Sequence, residues 1–281
     1  MRARLPLIAA LVLLSSTAGA QYYSPDPWLG IALESGKKGA AVKQVVPGSP
    51  AEDAGLRDGD QVIAVGDTKT RTPDDLQKTI RALQISDRVT LHVVRGDDTI
   101  ELEATLRGMP DHKTMIRQVL VDRPAPELAL DRIKATGTVS SADFEDKVVV
   151  LAFFATWCKY CPRVYPKLAA LQAKHGDKVV VLGIAGDDLK TLENYLDPDY
   201  EPKVTKDKDE RIIAREPHYG ALGFTALHDP FDKTKSAYWA STLPTMVVID
   251  GEGFVREVQI GADTRTVASV VSRVNDLVDG E

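Results

Sequence analysis

Apolar and polar positions alternate in two ways along this chain, and the change from one to the other divides it. From Trp28 to Leu106 the apolar residues come in short runs broken by turn residues. Trp28–Leu33 reads as a strand, Ala41–Val46 as a second that ends at Pro47-Gly48, and Gln61–Val65 as a third that ends at Gly66-Asp67. Val89–Val94 and Thr99–Leu106 read as a hairpin about Gly96-Asp97-Asp98. Ser49-Pro50-Ala51-Glu52 opens a short helical turn that closes at Gly55. One longer helix is predicted: Thr72 suits the N-cap, Pro73 the first helical position, and Leu76, Ile80 and Leu83 recur on one face.

The second half has longer periods. Val148–Phe154 is a continuous apolar run of strand length, as a strand buried on both faces requires. Val164, Leu168 and Leu171 follow at helical spacing up to Gly176, then Val179–Ile184 gives another buried strand and Asp188–Leu196 another helix. Strand, helix, strand predicts a right-handed parallel crossover. Thr245–Ile249 and Val255–Ile260 form a hairpin about Asp250-Gly251-Glu252-Gly253, and Ala268, Val271, Val274 and Val278 mark a last amphipathic helix. Ser140, Ser141 and Asp143 suggest a capped turn. Residues 109–123 read as a linker, its first part polar, and 197–223 as a charged insertion carrying Pro198, Pro202 and Pro217. A connection of that length is a solvated loop, a lid or a partner surface. The expected fold is therefore two domains: mostly β over 27–108, then α/β over 124–279.

The first twenty residues fit neither pattern. Arg2 and Arg4 precede an apolar run from Leu5 to Leu14 and the small residues Ala18-Gly19-Ala20, which together read as a secretory signal peptide over 1–20. An uncleaved anchor is the other reading, but the run is short for a bilayer about 30 Å thick. Cleavage after Ala20 predicts an exported, periplasmic or similarly placed protein with no stable membrane insertion afterwards. No other run is long enough to span a membrane. Composition adds exclusions more than identities. Of 281 residues 43% are hydrophobic and 27% charged, as in ordinary globular proteins, and the net charge of −6 argues against nucleic acid as a partner.

Candidate chemistry lies at the end of the first buried strand, in Trp157-Cys158-Lys159-Tyr160-Cys161. These are the only two cysteines of the chain. Exported proteins stapled by disulfides carry several, widely spaced, so this pair reads as reactive. The five histidines show no paired spacing, so no metal site is expected. At a strand-to-helix corner, unpaired N–H groups and the neighbouring Lys159 favour a thiolate on Cys158. Cys158 is then expected to be the exposed attacker and Cys161 the shielded resolver. No cofactor is needed beyond the redox-active disulfide. A buried, inert pair is the bland alternative.

Pro124-Ala125-Pro126-Glu127-Leu128, the run from Val149 through Cys158, and Leu243-Pro244-Thr245 resemble the thioredoxin superfamily, in particular its exported redoxin branch, over roughly 124–278. The resemblance implies thiol–disulfide exchange with protein thiols and disulfides, an electron donor that the sequence does not identify, and site residues Cys158, Cys161, Pro244 and Trp157. It also implies a cis peptide before Pro244, near the cysteines, and a kinking role for Pro166; a trans proline opening the next strand is the plain alternative. Two family acids are absent: Ala152 stands six residues before Cys158, where thioredoxin has aspartate, and Val164 six after, where cytochrome-maturation relatives have glutamate. Peroxiredoxins carry threonine three residues before their attacking cysteine; here that residue is Ala155. Pro162 removes an early helix N–H.

Trp28-Leu29-Gly30-Ile31, Pro47-Gly48-Ser49-Pro50-Ala51 and Ala54-Gly55-Leu56-Arg57-Asp58-Gly59-Asp60 resemble a bacterial PDZ domain. That family binds C-terminal peptides by adding a strand to its sheet. The resemblance implies a groove formed by Leu29, Gly30, Ile31, Leu33 and Ile80. The plain alternative is a packing module with a closed groove and core roles for Leu76, Ile80 and Leu83. A further alternative for the whole chain is an adaptor whose thiols only sense oxidation.

Overall fold

A computed structural model describes residues 26–280. The expected signal peptide, 1–20, lies outside the described residues.

The N-terminal domain comprises β1 (Pro27–Trp28), β2 (Ile31–Ser35), β3 (Ala40–Val45), α1 (Pro50–Asp53), β4 (Gln61–Val65), β5 (Thr68–Lys69), α2 (Pro73–Arg81), β6 (Arg88–Arg95), β7 (Asp98–Thr105) and β8 (Arg107–Gly108). Its main sheet runs β2-β3-β4-β6-β7, so β2 is an edge strand. The expected single strand Trp28–Leu33 is broken. Gly30 takes a left-handed backbone (φ +86), and a Cβ there would fall 2.1 Å from that of Ser49. The break sends β1 away to pair with β8. Helix α2 starts as expected, with a reciprocal Thr72–Asp75 capping box and Leu76 and Ile80 buried. Leu83 falls beyond its end, in the turn closed at Ala82.

The second domain is one seven-stranded sheet ordered β10-β9-β15-β12-β11-β16-β17. Its strands are β9 (Ala129–Arg132), β10 (Thr138–Ser140), β11 (Val148–Phe153), β12 (Val179–Ala185), β15 (Thr225–His228), β16 (Thr245–Ile249) and β17 (Val255–Ile260); β13 (Val204–Lys206) and β14 (Ile212–Arg215) make a separate hairpin. β11 is central, parallel to β12 and antiparallel to β16. Its unbroken apolar run follows from burial on both sides: Val148, Val150 and Ala152 enter one core, and Val149, Leu151 and Phe153 the other.

The first of these cores lies under α4 (Tyr165–His175), α5 (Leu189–Tyr195) and α7 (Thr264–Asp279). In α7 the buried residues are Thr266, Val267, Val270 and Val274; of the expected face Val274 is buried, Val271 and Val278 pack half-buried on the core, and only Ala268 is exposed. The second core corrects the linker. Residues His112–Leu120 form α3, capped by Asp111, and Met115, Ile116, Val119 and Leu120 are buried against β17 and its neighbours. Tyr238, just past α6 (Lys233–Ala237), fills the same face. α3 also meets the N-terminal domain: Gln118 donates to the Pro47 carbonyl at 2.9 Å, and Val46 joins this core. The insertion 197–223 contains the β13–β14 hairpin, whose residues are all exposed.

Candidate active site

The chain leaves β11 at Phe153 and turns through Ala155 and Thr156 into the cysteine pair. Cys158 and Cys161 form a disulfide with Cα atoms 5.5 Å apart. Cys161 is fully buried, and Cys158, expected to be exposed, is buried too at 6%; what little sulfur-side surface the pair keeps belongs to Cys158. Trp157 (69%) and Tyr160 (50%) stand out on either side of it. The Cys161 N–H donates to the Cys158 sulfur at 3.2 Å, a contact that favours negative charge there once the bond is reduced.

The helix begins later than expected. Cys161–Arg163 is a 3-10 turn and α4 starts only at Tyr165. Pro162 lies in that turn, where its missing N–H costs no ladder bond. Pro166 lies in the first turn of α4, so it marks the junction of two helical segments and not a kink inside one. The α-helix dipole therefore starts several residues beyond Cys158, and the Cys161 N–H is the nearer donor.

The Leu243–Pro244 peptide is cis. Thr245, next in the chain, pairs with Phe153, which brings Pro244 to the sheet edge from which Cys158 emerges. Ala152 and Val164 are both buried in the core shared with the two cysteines. That core supplies aromatic groups where the family acids are missing: Phe154 packs edge-on to Tyr165 at 5.7 Å, and the Tyr165 and Tyr195 hydroxyls meet at 3.5 Å. Burial raises both tyrosines above the usual phenol value, so they stay protonated.

Sequence reasoning missed one polar contact. Asp187 follows β12 and accepts hydrogen bonds from the Thr156 hydroxyl at 2.7 Å and from the Thr156 N–H at 3.3 Å. Phe153 pairs with Ile184, and Thr156 and Asp187 each stand three residues past that pair. The signal was legible only through the parallel register.

In the N-terminal domain, Leu29, Gly30, Ile31, Leu33 and Ile80 line one groove of about 220 Å³ between β2 and α2. Leu76 contributes to its wall while being almost fully buried, so core and groove roles coincide.

A bonded Cys-x-x-Cys turn at the end of a central strand, level with a cis proline, defines a thioredoxin-like thiol–disulfide oxidoreductase. Residues 121–258 match the AhpC/TSA family and residues 27–106 the PDZ domain, so a redoxin domain follows a PDZ domain in this chain. Its relatives include Thiol-disulfide oxidoreductase ResA of Oceanobacillus iheyensis, 27% identical over 167 residues that cover 57% of this chain and 74% of the relative. They also include Thiol:disulfide interchange protein DsbE of Allochromatium vinosum, 24% identical, covering 50% and 67%. The PDZ stretch is 39% identical over 72 residues to a probable periplasmic serine endoprotease, DegP-like, of Chlamydia trachomatis. That match covers 26% of this chain and 14% of the protease, so the likeness is to one segment of it.

Proposed function

We propose that this protein exchanges thiols and disulfides with protein substrates outside the cytoplasm, in the periplasm or a similar compartment, while its PDZ groove holds a peptide or partner. The observation that carries the chemistry is the Cys158–Cys161 disulfide at the end of the central strand, with what surface it keeps on Cys158 and none on Cys161. In the reductive direction, the Cys158 thiolate attacks one sulfur of a substrate disulfide and displaces the other as a thiolate, which takes up a proton. Cys161 then loses its proton and attacks Cys158 in the mixed disulfide. The substrate leaves as a dithiol, and the protein is left with the disulfide seen here. Two electrons pass through the cysteine pair, with no further cofactor. Pro244 and Trp157 flank the substrate strand. The basic, apolar start of the sequence supports export, and the DegP-like relative is named as periplasmic. Among the described residues no helix is long and apolar enough to cross a membrane.

The test is reduction of insulin by catalytic amounts of the protein with dithiothreitol. Wild type should accelerate precipitation of the insulin B chain, and Cys158→Ser should fall to the uncatalysed rate. No acceleration by wild type, and no oxidation of a dithiol peptide by the disulfide form, would sink the proposal. The open groove favours a second reading, an adaptor whose thiols sense oxidation without turnover; it predicts a single stoichiometric oxidation in the same assays.

A further inference from the structure

Ala152 and Val164, the two positions at which the family resemblance implies an acid, are apolar and buried in this chain. A carboxylate nevertheless reaches the cysteine turn, from the neighbouring strand. Asp187 accepts both the hydroxyl and the backbone N–H of Thr156, two residues before Cys158. Thr156 is buried, and the Cys158 N–H donates to the carbonyl of Ala155, immediately before it. The carboxylate thus holds the middle of the short segment 155–158 on which the attacking sulfur is carried. Beneath the turn, Tyr165 and Tyr195, whose hydroxyls meet at 3.5 Å, share a core with both cysteines. Asp187 is itself fixed. Its carbonyl lies 3.1 Å from His228 Nε2, and Gly186 beside it is packed so tightly that a Cβ would fall 2.2 Å from Asp232 Oδ1.

Resting on the exchange chemistry proposed above, we propose that Asp187 is the positioning residue of this redox centre. Through Thr156 it clamps the turn that carries Cys158, and it places a negative charge beside that turn. The clamp and the charge have separable consequences. The clamp keeps residues 155–158 ordered in both redox states. The charge opposes formation of the Cys158 thiolate and so holds more of the reduced protein as thiol. The other charged or titratable groups around this turn are Lys159, Tyr160 and Arg163 on the turn itself, Tyr165, Tyr195 and Tyr219 beneath it, and His228, Asp188, Asp229 and Asp232 around Asp187. None of these is altered in the variants below.

The experiment follows iodoacetamide alkylation of Cys158 against pH in the fully reduced protein, together with amide hydrogen exchange over 155–161. Asp187→Asn keeps an oxygen acceptor for Thr156 but removes the charge. Its alkylation midpoint should fall by about half a pH unit or more, with exchange unchanged. Asp187→Glu, which retains the charge, should return the midpoint toward wild type. Thr156→Val removes the 2.7 Å hydroxyl contact and should speed exchange over 155–161. A wild-type midpoint in a folded Asp187→Asn protein overturns the charge, and wild-type exchange in Thr156→Val overturns the clamp. Should Asp187→Asn fail to fold, Thr156→Val still decides the clamp, and a Thr156→Ser control should exchange as wild type. These measurements need only reduced thiols. A protein with no insulin turnover but a shifted midpoint would defeat the proposed function and keep this inference.

Discussion

Cys158 and Cys161 belong to one turn, yet their surroundings make them unequal: one keeps a little surface and an N–H at its sulfur, the other has neither neighbouring solvent nor a free side. That they form one pair was legible from spacing and scarcity alone, and two lone cysteines three apart can staple almost nothing. That Leu29, Gly30, Ile31, Leu33 and Ile80 line one groove was legible in the same way, from local motif. Asp187 was not, since its partner Thr156 lies 31 positions away in sequence and meets it only through strand pairing. Single carboxylates also govern the acid response. Asp263 caps α7, and its bonds from the Thr266 hydroxyl and backbone N–H hold its carboxyl below the usual carboxylate range. Its ionised form is thus favoured by folding, so its contribution is present above the ordinary aspartate value and is lost as pH falls through the lowered one. Denaturant titrations should show Asp263→Asn less stable than wild type at neutral pH, with the gap closing in acid; a gap independent of pH would contradict this.

At the scale of elements, β11 and β12 were read well because burial on both faces leaves an uninterrupted apolar run, whereas the short, largely exposed β9, β10, β13 and β14 carry no such run and were not read. Helix α3 was missed because the polar His112-Lys113-Thr114 opens it after Met109-Pro110, which reads as a link. The information was present in the spacing of Met115, Ile116, Val119 and Leu120 and in Asp111 as cap, whose side chain accepts from Thr114. Its burial gives a sharp expectation. Ile116 is fully buried, so Ile116→Ala should destabilise the protein by about 2–5 kcal/mol in urea unfolding. A change below about 0.5 kcal/mol, the range of a surface substitution, would restore the linker reading. The late start of α4 has a similar local cause. With Pro162 and Pro166 both present, the first turn after the cysteines cannot donate a full α-helical ladder.

For the whole molecule, α3 joins the two domains. It packs on β17, with Arg117 paired to Glu257, and its Gln118 reaches back to Pro47 of the PDZ domain. Two-domain organisation was readable from the change in period, but this shared helix was not, since nothing local in a sequence says which domain an amphipathic segment will cover. The division of labour predicts separable defects. Ile31→Glu, at a half-buried position of the edge strand β2, puts a charge into the groove between β2 and α2 and should weaken binding of apolar C-terminal peptides at least tenfold in fluorescence anisotropy, while insulin reduction stays at the wild-type rate. Loss of both together would mean that the domains do not act independently.

The central claim is that Cys158 attacks and Cys161 resolves. Its most direct measurement is mass-spectrometric trapping with Cys161→Ser incubated with a disulfide-bonded substrate such as insulin. The account predicts a stable mixed disulfide between Cys158 and the substrate, and no adduct of this kind at Cys161 in the reciprocal Cys158→Ser protein. An adduct only at Cys161, or none in either variant, would contradict it.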